Sequence, residues 1–434
     1  MTGTMPEYDV IICGAGAGGL TAAILFGRQG RKVLLVDKLT DTVETFKGEL
    51  LQPGSLSILD KMGALDTLRD KGARTIDRLV SSTVDGAELC SMDYRWLPSR
   101  YNHCLTHTYK GILDNFIAAL PVTVDFRRGV SVTHALRGDD GRIHGVEIRD
   151  GGAREELHAP LVIAADGHGS KLRTQLGIEP EMIGYDHQVV AVDLVDEPHL
   201  ATQATTFITP EGMRVMYPMP GNGGRLYLQI PKGFVNRIGK AGLGGWIEGA
   251  LAGCPALLPI AGSVHRGIAT SKVLSARRFV SPAFHRDGMP LLGDAAHAVH
   301  PMAGQGMNAA IADAAAIAGF FRHVDLADRR PADRALARYE VKRLAEVRTL
   351  SEFSHRFAAL FTETLTRGSY ARTRYVLGCH GRNQRLCYKI MQNISGLGYQ
   401  RFTVLDRLQQ VGFPDRNAGH LPETSTRELD EILA

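Results

Sequence analysis

The chain has 434 residues, enough for two domains or for one large domain with an insertion. Its hydrophobic fraction of 44% and charged fraction of 22% are ordinary for a soluble globular protein, whereas 48 glycines are many. Lys and Arg total 50 against 46 for Asp and Glu, so the net charge of +4 gives no support for nucleic-acid binding or strong membrane binding.

The cysteines and the N-terminus favour an ordinary cytoplasmic protein. The six cysteines are scattered, without a C-x-x-C pair or histidines at ligand spacing, which indicates reduced thiols and no metal site. Residues 1–8 lack the basic and apolar regions of a secretory signal, and no apolar run approaches the roughly 20 residues of a membrane span. We therefore expect a soluble, cytoplasmic protein without a metal ion.

The first 37 residues predict the strand, glycine turn, helix and second strand of a nucleotide-binding unit. Residues 8–13 predict a strand, residues 14–30 a glycine turn running into a helix, and residues 32–36 a second strand that ends in Asp37. Asp37 can accept both hydrogen bonds of an adenosine ribose, and the helix N-terminus offers unpaired amides to phosphate. This arrangement predicts a dinucleotide site without separating FAD from NAD.

The glycines of that turn each have a physical use. Gly14, Gly16 and Gly19 match G-x-G-x-x-G, which permits a tight turn, a close approach of backbone to pyrophosphate and close packing of helix on strand. The match is weak evidence alone. The strand before it and Asp37 after it supply the context that the motif requires.

The middle of the chain predicts a mixture of elements. Residues 56–71 predict a helix, and residues 161–164 a buried strand. Three further segments predict strands of a hairpin with a turn at 138–141, namely 122–126, 130–136 and 143–148. Residues 186–275 alternate apolar and polar side chains, which predicts an antiparallel sheet that forms a roof over a substrate pocket.

The glycine-rich stretch at 293–308 favours a flavin. Asp294 follows the apolar strand 289–292 and is placed to bind a ribityl or second ribose hydroxyl. Residues 301–308 form a loop that enters a helix, whose dipole favours the negative charge of a reduced flavin. A loop that only starts a helix explains Gly304 and Gly306 poorly, because two glycines there cost stability. The helix continues with apolar spacing to 321, and residues 331–415 are also expected to be helical.

The three stretches together resemble the single-component FAD-dependent aromatic hydroxylases of the para-hydroxybenzoate hydroxylase fold. The motifs are G-x-G-x-x-G at 14–19, D-G-x-x-S-x-x-R at 166–173 and G-D-A-A-H-x-x-x-P-x-x-G-x-G-x-N at 293–308. The resemblance covers roughly residues 8–345. It implies an α/β fold, in which a Rossmann-like FAD-binding domain carries an inserted antiparallel-sheet substrate domain (an α+β insertion) and C-terminal helices.

This resemblance also implies domain limits. The discontinuous FAD-binding domain is expected at 1–80, 104–185 and 276–345. The substrate-binding sheet domain is expected at 81–103 and 186–275, and a C-terminal helical cover at 346–434.

By the same resemblance, the first motif holds the adenosine end of FAD and the third holds the ribityl and isoalloxazine. The second motif lies by the pyrophosphate and assists NADH or NADPH. The cofactor-binding residues so implied are Gly14, Gly16, Ala17, Gly18, Gly19, Asp37, Lys38, Lys110, Asp166, Gly167, Arg173, Gly293, Asp294, Gly304, Gln305, Gly306, Met307 and Asn308.

Two departures from the family pattern matter. The family often has an arginine ahead of the helix that contacts FAD, and the corresponding stretch 106–113 offers Lys110. The stretch 47–54 closely resembles one of squalene epoxidases, and the pair His300 and Pro301 is similar to that of ubiquinone-pathway hydroxylases and squalene epoxidases. Both groups act on isoprenoid or other hydrophobic substrates.

The resemblance implies that NAD(P)H reduces FAD and that O2 forms a flavin C4a-hydroperoxide, which passes one oxygen to the substrate. A hydrophobic aromatic or quinone-like secondary metabolite is favoured. The alternatives are epoxidation of an isoprenoid alkene, reduction of isoprenoid double bonds, and ligand binding without catalysis. A halogenase is disfavoured because the only tryptophans, Trp96 and Trp246, lie far apart.

No side chain stands out as an acid or base. Pro301, beside the reactive flavin edge, and His300 are the catalytic candidates, whereas His297 is expected to be structural. Glu49, Tyr217 and Tyr227 are candidates for the substrate pocket, with helix capping as the alternative for Glu49 and core packing for both tyrosines.

The remaining predictions concern residues without a catalytic role and partners. His103 and His107 are expected to be surface or core residues, and Cys13 a small buried one. The expected partners are a small hydrophobic substrate, O2 and NAD(P)H, with no nucleic acid, in a monomer or homodimer. The basic segment 348–416 is expected to form a helical cover and a dimer face, with peripheral membrane contact as an alternative.

Overall fold

The computed structural model describes residues 7–46, 48–363 and 366–421, so Lys47 of the squalene-epoxidase-like stretch lies outside the described residues. The described helices are α1 (Ala17–Arg28), α2 (Pro53–Lys61), α3 (Leu65–Asp70), α4 (Tyr109–Ala118), α5 (Lys171–Gln175), α6 (Phe234–Ala252), α7 (Ala261–Gly267), α8 (Gly306–Phe321), α9 (Arg329–Thr362), α10 (Arg367–Gly381), α11 (Gln384–Ser395) and α12 (Val404–Gln410).

The described strands are β1 (Val10–Cys13), β2 (Val33–Asp37), β3 (Leu50–Leu51), β4 (Arg74–Ile76), β5 (Arg78–Ser82), β6 (Glu88–Asp93), β7 (Cys104–Thr106), β8 (Val124–Arg128), β9 (Ser131–Arg137), β10 (Ile143–Asp150), β11 (Ala153–His158), β12 (Leu161–Ala164), β13 (Ile183–Leu194), β14 (Gln203–Thr209), β15 (Gly212–Met219), β16 (Gly223–Pro231), β17 (Lys272–Val280), β18 (His285–Arg286), β19 (Met289–Pro290) and β20 (His297–Ala298).

A four-stranded parallel sheet in the order β12-β1-β2-β8 organises the N-terminal half. Its two inner strands are fully apolar up to their last residues and buried, as expected for a parallel sheet covered on both faces. α1 follows β1 and packs against α8. Leu291 pairs with Ala164, so the segment that leads to Asp294 reaches the same carboxyl edge as Cys13 and Asp37.

An eight-stranded sheet in the order β20-β17-β13-β16-β15-β14-β5-β6 forms the second layer. Side chains alternate along these strands, and two apolar clusters cover the two faces. α6 and α7 lie in one of these clusters, and α10 and α11 contribute to the other. The predicted α/β fold with an inserted antiparallel sheet and C-terminal helices is confirmed.

Three local predictions were wrong. The helix expected at 56–71 is divided into α2 and α3, because Gly63 has a φ of +63° that ends the first helix. β8 does not join the hairpin of β9 and β10 but pairs with β2 in the parallel sheet. Within the segment expected to be sheet, residues 234–270 are helical and cover one of its faces.

The described residues between 329 and 410 are mostly helical, as expected. α9 continues from 329 to 362 without a break, so the expected domain limit at 345/346 falls within it, and the division into domains stays a prediction. Among the described residues, no helix is long and apolar enough to cross a membrane. The described ranges also contain no group of three or more His, Cys, Asp or Glu side chains that could hold a metal ion.

Candidate functional site

The N-terminal glycine turn is built by close backbone packing. Gly14 has a φ of +113°, and a Cβ added there would lie 2.2 Å from the carbonyl oxygen of Ala165. A Cβ on Gly19 would lie 1.9 Å from the carbonyl oxygen of Gly14. Gly16 differs, because its nearest neighbour would be the Tyr109 hydroxyl at 3.7 Å. With this single contact, Gly16 is far less crowded than Gly14 and Gly19, and it lies at the N-terminus of α1, where backbone amides favour an anion.

Asp37 ends β2 beside this turn and is half-buried. Its Oδ2 accepts a hydrogen bond of 2.6 Å from the Ala15 amide, and its Oδ1 accepts one of 2.8 Å from the Leu39 amide. Each carboxylate oxygen keeps a further lone pair for a ribose hydroxyl. Lys38 next to it is exposed.

The first turn of α4 supplies a residue that the sequence analysis missed. Lys110 binds Asp114 in an exposed ion pair, with 2.7 Å between Nζ and Oδ2, and is not the side chain that approaches the glycine turn. Tyr109 takes that place, with its ring also against Gly48. Burial, with Asp294 and Asp37 nearby, raises the pKa of Tyr109 to about 12.

Helical phase explains why Tyr109, and not Lys110, faces inward. Ile112 and Phe116 on α4 are fully buried, and they follow Tyr109 by three and seven residues. Residues at this spacing share one face of a helix. The spacing of Ile112 and Phe116 is therefore the sequence signal that predicts an inward-facing Tyr109.

The second motif presents an unpaired acceptor. Asp166 Oδ2 accepts a hydrogen bond of 2.9 Å from the Lys171 amide, whereas its Oδ1 is buried and has no partner in the described part of the chain. Burial raises the pKa of this carboxyl group. Gly167, with a φ of +85°, has open space where a Cβ would be.

Arg173 connects the second motif to the third. Its buried guanidinium donates hydrogen bonds of 2.9 Å to the carbonyl of Ala295 and 3.0 Å to that of His168. It also lies over the ring of Phe279. These contacts hold the two loops together, so the geometry gives Arg173 a positioning role.

Asp294 and His297 have opposite surroundings in the third motif. Asp294 is half-buried, and its carboxylate forms no hydrogen bond or ion pair within residues 7–46, 48–363 and 366–421. His297 is fully buried, with Nε2 2.7 Å from Asp313 Oδ2, and Arg343 binds the other oxygen of Asp313 at 2.7 Å. Asp313 Oδ2 also accepts the amide of Gly293 at 3.0 Å. These contacts support a structural role for His297, which stays a prediction.

The loop 301–308 is held by its own side chains. Asn308 accepts the amide of Gln52 at 2.9 Å and donates to the carbonyls of Leu50 and Gly304 at 2.9 and 2.7 Å. Gln305 donates to the carbonyl of Ile394 at 2.7 Å. These two side chains therefore fix the loop. A ligand would meet its backbone, which is open at Gly306.

Pro301 and Met307, at the two ends of this loop, differ in exposure. Pro301 is exposed and begins a short 3-10 helix, Pro301–Ala303, whereas Met307 is buried beside Gly48. His300 is buried, and its Nδ1 accepts the amide of Met302 at 3.1 Å, which caps that helix. The exposed Pro301 is thus held in place by the residue before it.

His300 forms a pair with His187 that the sequence did not reveal. The two Nε2 atoms are 3.0 Å apart. Because His300 Nδ1 accepts a hydrogen bond, we assign its proton to Nε2, which donates to His187. Burial, together with His187 and His355, lowers the pKa of His300 to about 3. Both nitrogens are engaged, so the geometry supports a positioning role for His300; its catalytic role stays a prediction.

Glu49, Tyr217 and Tyr227 are brought together, but in a closed network. Glu49 Oε2 accepts the hydroxyls of Tyr217 and Tyr227 at 2.8 and 2.9 Å. Arg225 Nη2 lies 2.6 Å from Glu49 Oε1, and both side chains are buried. Arg225 also pairs with Asp193. Every oxygen of Glu49 is therefore occupied by a donor.

An apolar surface lies next to the loop 301–308. Met302 packs, partly exposed, against a buried apolar cluster beneath the eight-stranded sheet. Other partly exposed side chains that pack against the same cluster include Leu50, Val215, Tyr227 and Phe357. Leu50 also touches Gly304, since a Cβ there would be 3.2 Å from Leu50 Cδ1. The α9 residue Phe357 was not anticipated from the sequence.

The donors and acceptors that face open space fit an FAD molecule. The amides at Gly16 suit a diphosphate, and Asp37 and Asp294 suit ribose and ribityl hydroxyls. The orphaned oxygen of Asp166 is an acceptor that awaits a donor. These groups all lie at the carboxyl edge of the parallel sheet, the usual ligand edge of such folds.

Comparison with known proteins agrees with this fit. Residues 7–354 match the sequence profile of the family described as FAD binding domain. The chain is 29% identical to 6-methylpretetramide 4-monooxygenase of Streptomyces rimosus over 313 residues, which cover 71% of this chain and 73% of the relative. It is 27% identical to squalene epoxidase erg1 of Schizosaccharomyces pombe over 333 residues, 72% of this chain and 69% of the relative.

Solved structures share the fold. PqsL of Pseudomonas aeruginosa superimposes with a TM-score of 0.72 at 24% identity, over 84% of this chain and 99% of that one. p-Nitrophenol 4-monooxygenase PnpA of Pseudomonas putida gives a TM-score of 0.73 at 19% identity, over 95% of this chain and all of that one.

Proposed function

The chain belongs to this FAD-binding family and is an FAD-dependent monooxygenase; from that premise we propose that it uses NADH or NADPH and O2 to insert one oxygen atom into a hydrophobic, aromatic or quinone-like small molecule. The observation that carries the substrate class is the apolar surface beside the loop 301–308, together with the full pairing of the Glu49 carboxylate.

We assign the cofactor contacts by what each group offers. The amides at Gly16 and Ala17 bind the diphosphate, Asp37 the adenosine ribose and Asp294 the ribityl chain. Tyr109 adds a hydroxyl donor beside the diphosphate. The backbone of Gly304 to Met307 binds the isoalloxazine at the N-terminus of α8. When bound, FAD would carry the two electrons of NADH or NADPH to O2 and supply the oxygen chemistry that amino-acid side chains do not provide.

The nicotinamide co-substrate is assigned to the second motif. Gly167 and Gly169 leave open space in front of an exposed loop, and Asp166 next to them has a free acceptor. Arg173 holds this loop against the third motif through the Ala295 carbonyl. A flat ring could therefore approach the edge that Asp294 borders.

The side chains at the substrate surface exclude water and set shape. Val215, Met302 and Phe357 are apolar and offer no hydrogen bond, so they keep this space dry. The Glu49 network closes one side with its charges compensated internally. Because neither Glu49 nor His300 has a free lone pair there, the site favours a substrate that needs no proton removed.

That last observation also favours a second candidate, epoxidation of an isoprenoid alkene. An isolated double bond requires only a dry, shaped channel. A phenol would have to lose its proton to a group that the described pocket residues do not offer.

Mass spectrometry under labelled oxygen gas tests the proposal. The purified protein, loaded with FAD, is given NADH or NADPH and a panel of lipophilic phenols, quinolones, quinones and prenylated compounds. We expect one labelled oxygen atom in a product, and its position separates hydroxylation from epoxidation. A product that gains only hydrogen would contradict the proposal and indicate a reductase.

The substrate surface has its own test. Val215→Trp fills the proposed space and is expected to raise KM about tenfold or more without changing FAD content, because the side chain is partly exposed and distant in sequence from every cofactor motif. The control is Val273→Trp, at an exposed position on β17, which β13 and β16 separate from β15 in the same sheet. Equal KM values in the two variants would show that the substrate binds at another surface.

A further inference from the structure

Helix α12 buries polar side chains and exposes apolar ones. Its two buried residues are polar, Asp406 and Gln409, with 3% and 5% exposure. Its apolar residues and those just after it are exposed, namely Val404, Leu405, Leu408, Val411 and Phe413, at 40% to 78%. An ordinary surface helix buries its apolar stripe and exposes its polar one. This reversal leaves an apolar face, here called the α12 face, towards solvent.

Ion pairs fix the helix in this orientation. Asp406 binds Arg385 at 2.9 Å and Lys389 at 2.7 Å, and both partners lie on α11. Gln409 accepts a further hydrogen bond of 2.6 Å from Arg385. Thr403 caps the helix N-terminus in a capping box with Asp406. The apolar side chains therefore face outward because the polar ones are bound on the inner side.

The segment that carries the α12 face is rich in exposed arginine. Seven arginines between residues 366 and 421 are exposed, at positions 367, 372, 374, 382, 401, 407 and 416, and Arg372 among them pairs with Glu363. Arg407 follows Val404 by three residues and precedes Val411 by four, so it shares their face. Both carboxylates of this segment, Asp406 and Asp415, are buried in ion pairs with Arg385. Exposed negative charge is thus absent from residues 366–421.

We propose that the α12 face is a docking surface for an anionic lipid bilayer. Exposed Leu, Val and Phe side chains insert at the headgroup boundary, and arginines around them bind lipid phosphates, the combination that interfacial helices use. The proposal does not depend on the reaction that the flavin site performs.

Charge argues against a second copy of this chain as the occupant. A two-fold interface on the α12 face would place Arg407 and its neighbours against the same arginines of the other protomer. With no exposed carboxylate in the segment to pair with them, these like charges would repel. A bilayer rich in phosphate has the opposite charge.

Co-sedimentation of the full chain with lipid vesicles tests the proposal. The probes are vesicles of phosphatidylcholine alone and of phosphatidylcholine mixed with phosphatidylglycerol. We expect binding to the mixed vesicles, little binding to the neutral ones, and a loss of about tenfold in high salt. Absence of binding to the mixed vesicles would overturn the proposal.

Variants place the binding on α12. Leu405→Asp with Leu408→Asp is expected to weaken binding to the mixed vesicles about tenfold or more, because both side chains are exposed and leave the core intact. Val122→Asp, at a fully exposed position before β8, is the matched control and should bind as the wild type does. Thermal unfolding and FAD content verify that each variant is folded.

Two results would overturn the assignment. Undiminished vesicle binding by the α12 variant would place the lipid contact on another surface. A dimer in sedimentation velocity that the α12 variant dissociates, together with no vesicle binding, would assign the α12 face to a second copy.

Discussion

The two glycine-rich loops that border the cofactor site, 14–19 and 301–308, are built in opposite ways. In the first, backbone packs on backbone, and Gly14 and Gly19 leave no room for a Cβ. In the second, the side chains of Asn308 and Gln305 bind neighbouring strands and helices, and Gly306 has open space around it.

This difference separates two reasons for having glycine. Gly19 is required by the fold itself, with or without ligand. Gly306 is not required by any neighbour in the described structure, so the flat ligand that approaches the backbone there is the remaining reason for it. Glycine is therefore explained by packing in the loop 14–19 and by ligand binding in the loop 301–308.

The largest predicted effect contrasts these two glycines. Gly19→Ala should destabilise the FAD-free protein by about 3 kcal/mol or more, because its Cβ would meet the Gly14 carbonyl at 1.9 Å and backbone cannot give way as a side chain does. Gly306→Ala should stabilise the FAD-free protein by up to about 1 kcal/mol, because alanine is the better helix former. Denaturant unfolding measures both. Similar destabilisation by the two substitutions would contradict the comparison.

A second prediction concerns His300, which caps the 3-10 helix at Pro301. Its pKa is lowered to about 3, so the folded state holds it neutral, and its contribution to stability is present above the ordinary histidine pKa of about 6.5. That contribution is lost as the pH falls from about 6.5 towards 3. Between about pH 7.5 and pH 5, the wild type should lose about 2 kcal/mol more than His300→Gln.

Unfolding in denaturant at the two pH values checks this. Parallel pH curves for wild type and His300→Gln would show that His300 titrates normally and that its pairing with His187 is absent. His187 and His355, whose pKa values burial also lowers, are present in both proteins.

The smallest predicted effect tests which side chain of α4 serves the glycine turn. Tyr109→Phe should weaken FAD binding by roughly three- to tenfold, the size of one lost hydrogen bond. Lys110→Ala should change it less than about twofold, because Lys110 binds Asp114. Fluorescence titration with FAD measures both. Tighter binding by Tyr109→Phe would mean that the hydroxyl obstructs the diphosphate position.

Most of the proposed cofactor site can be inferred from the sequence, because its motifs determine backbone shape within a few residues. Gly14, Asp37 and Asp294 lie where strand ends at one sheet edge must bring them. Lys110 corresponds to the family's arginine, whereas the helical phase of α4 turns Tyr109 towards the glycine turn. One residue of phase decides which side chain faces inward.

Other features could not be predicted from local pattern. Glu49 and Arg225 are 176 residues apart, and no sequence pattern near either residue predicts the ion pair between them. His187 and His300 are 113 residues apart. The reversal of α12 likewise depends on Arg385, which lies on another helix. Pairings of this kind are set by the packing of whole elements.

The central claim is that three separated motifs form one FAD site, and FAD titration of two variants tests it most directly. Asp294→Ala removes a carboxylate that has no described protein partner, and should weaken FAD binding by roughly 10- to 100-fold with unchanged stability. His107→Ala is the control, because the His107 ring contacts the Lys71 carbonyl and lies outside the three motifs. Equal FAD binding by the two variants would contradict the account.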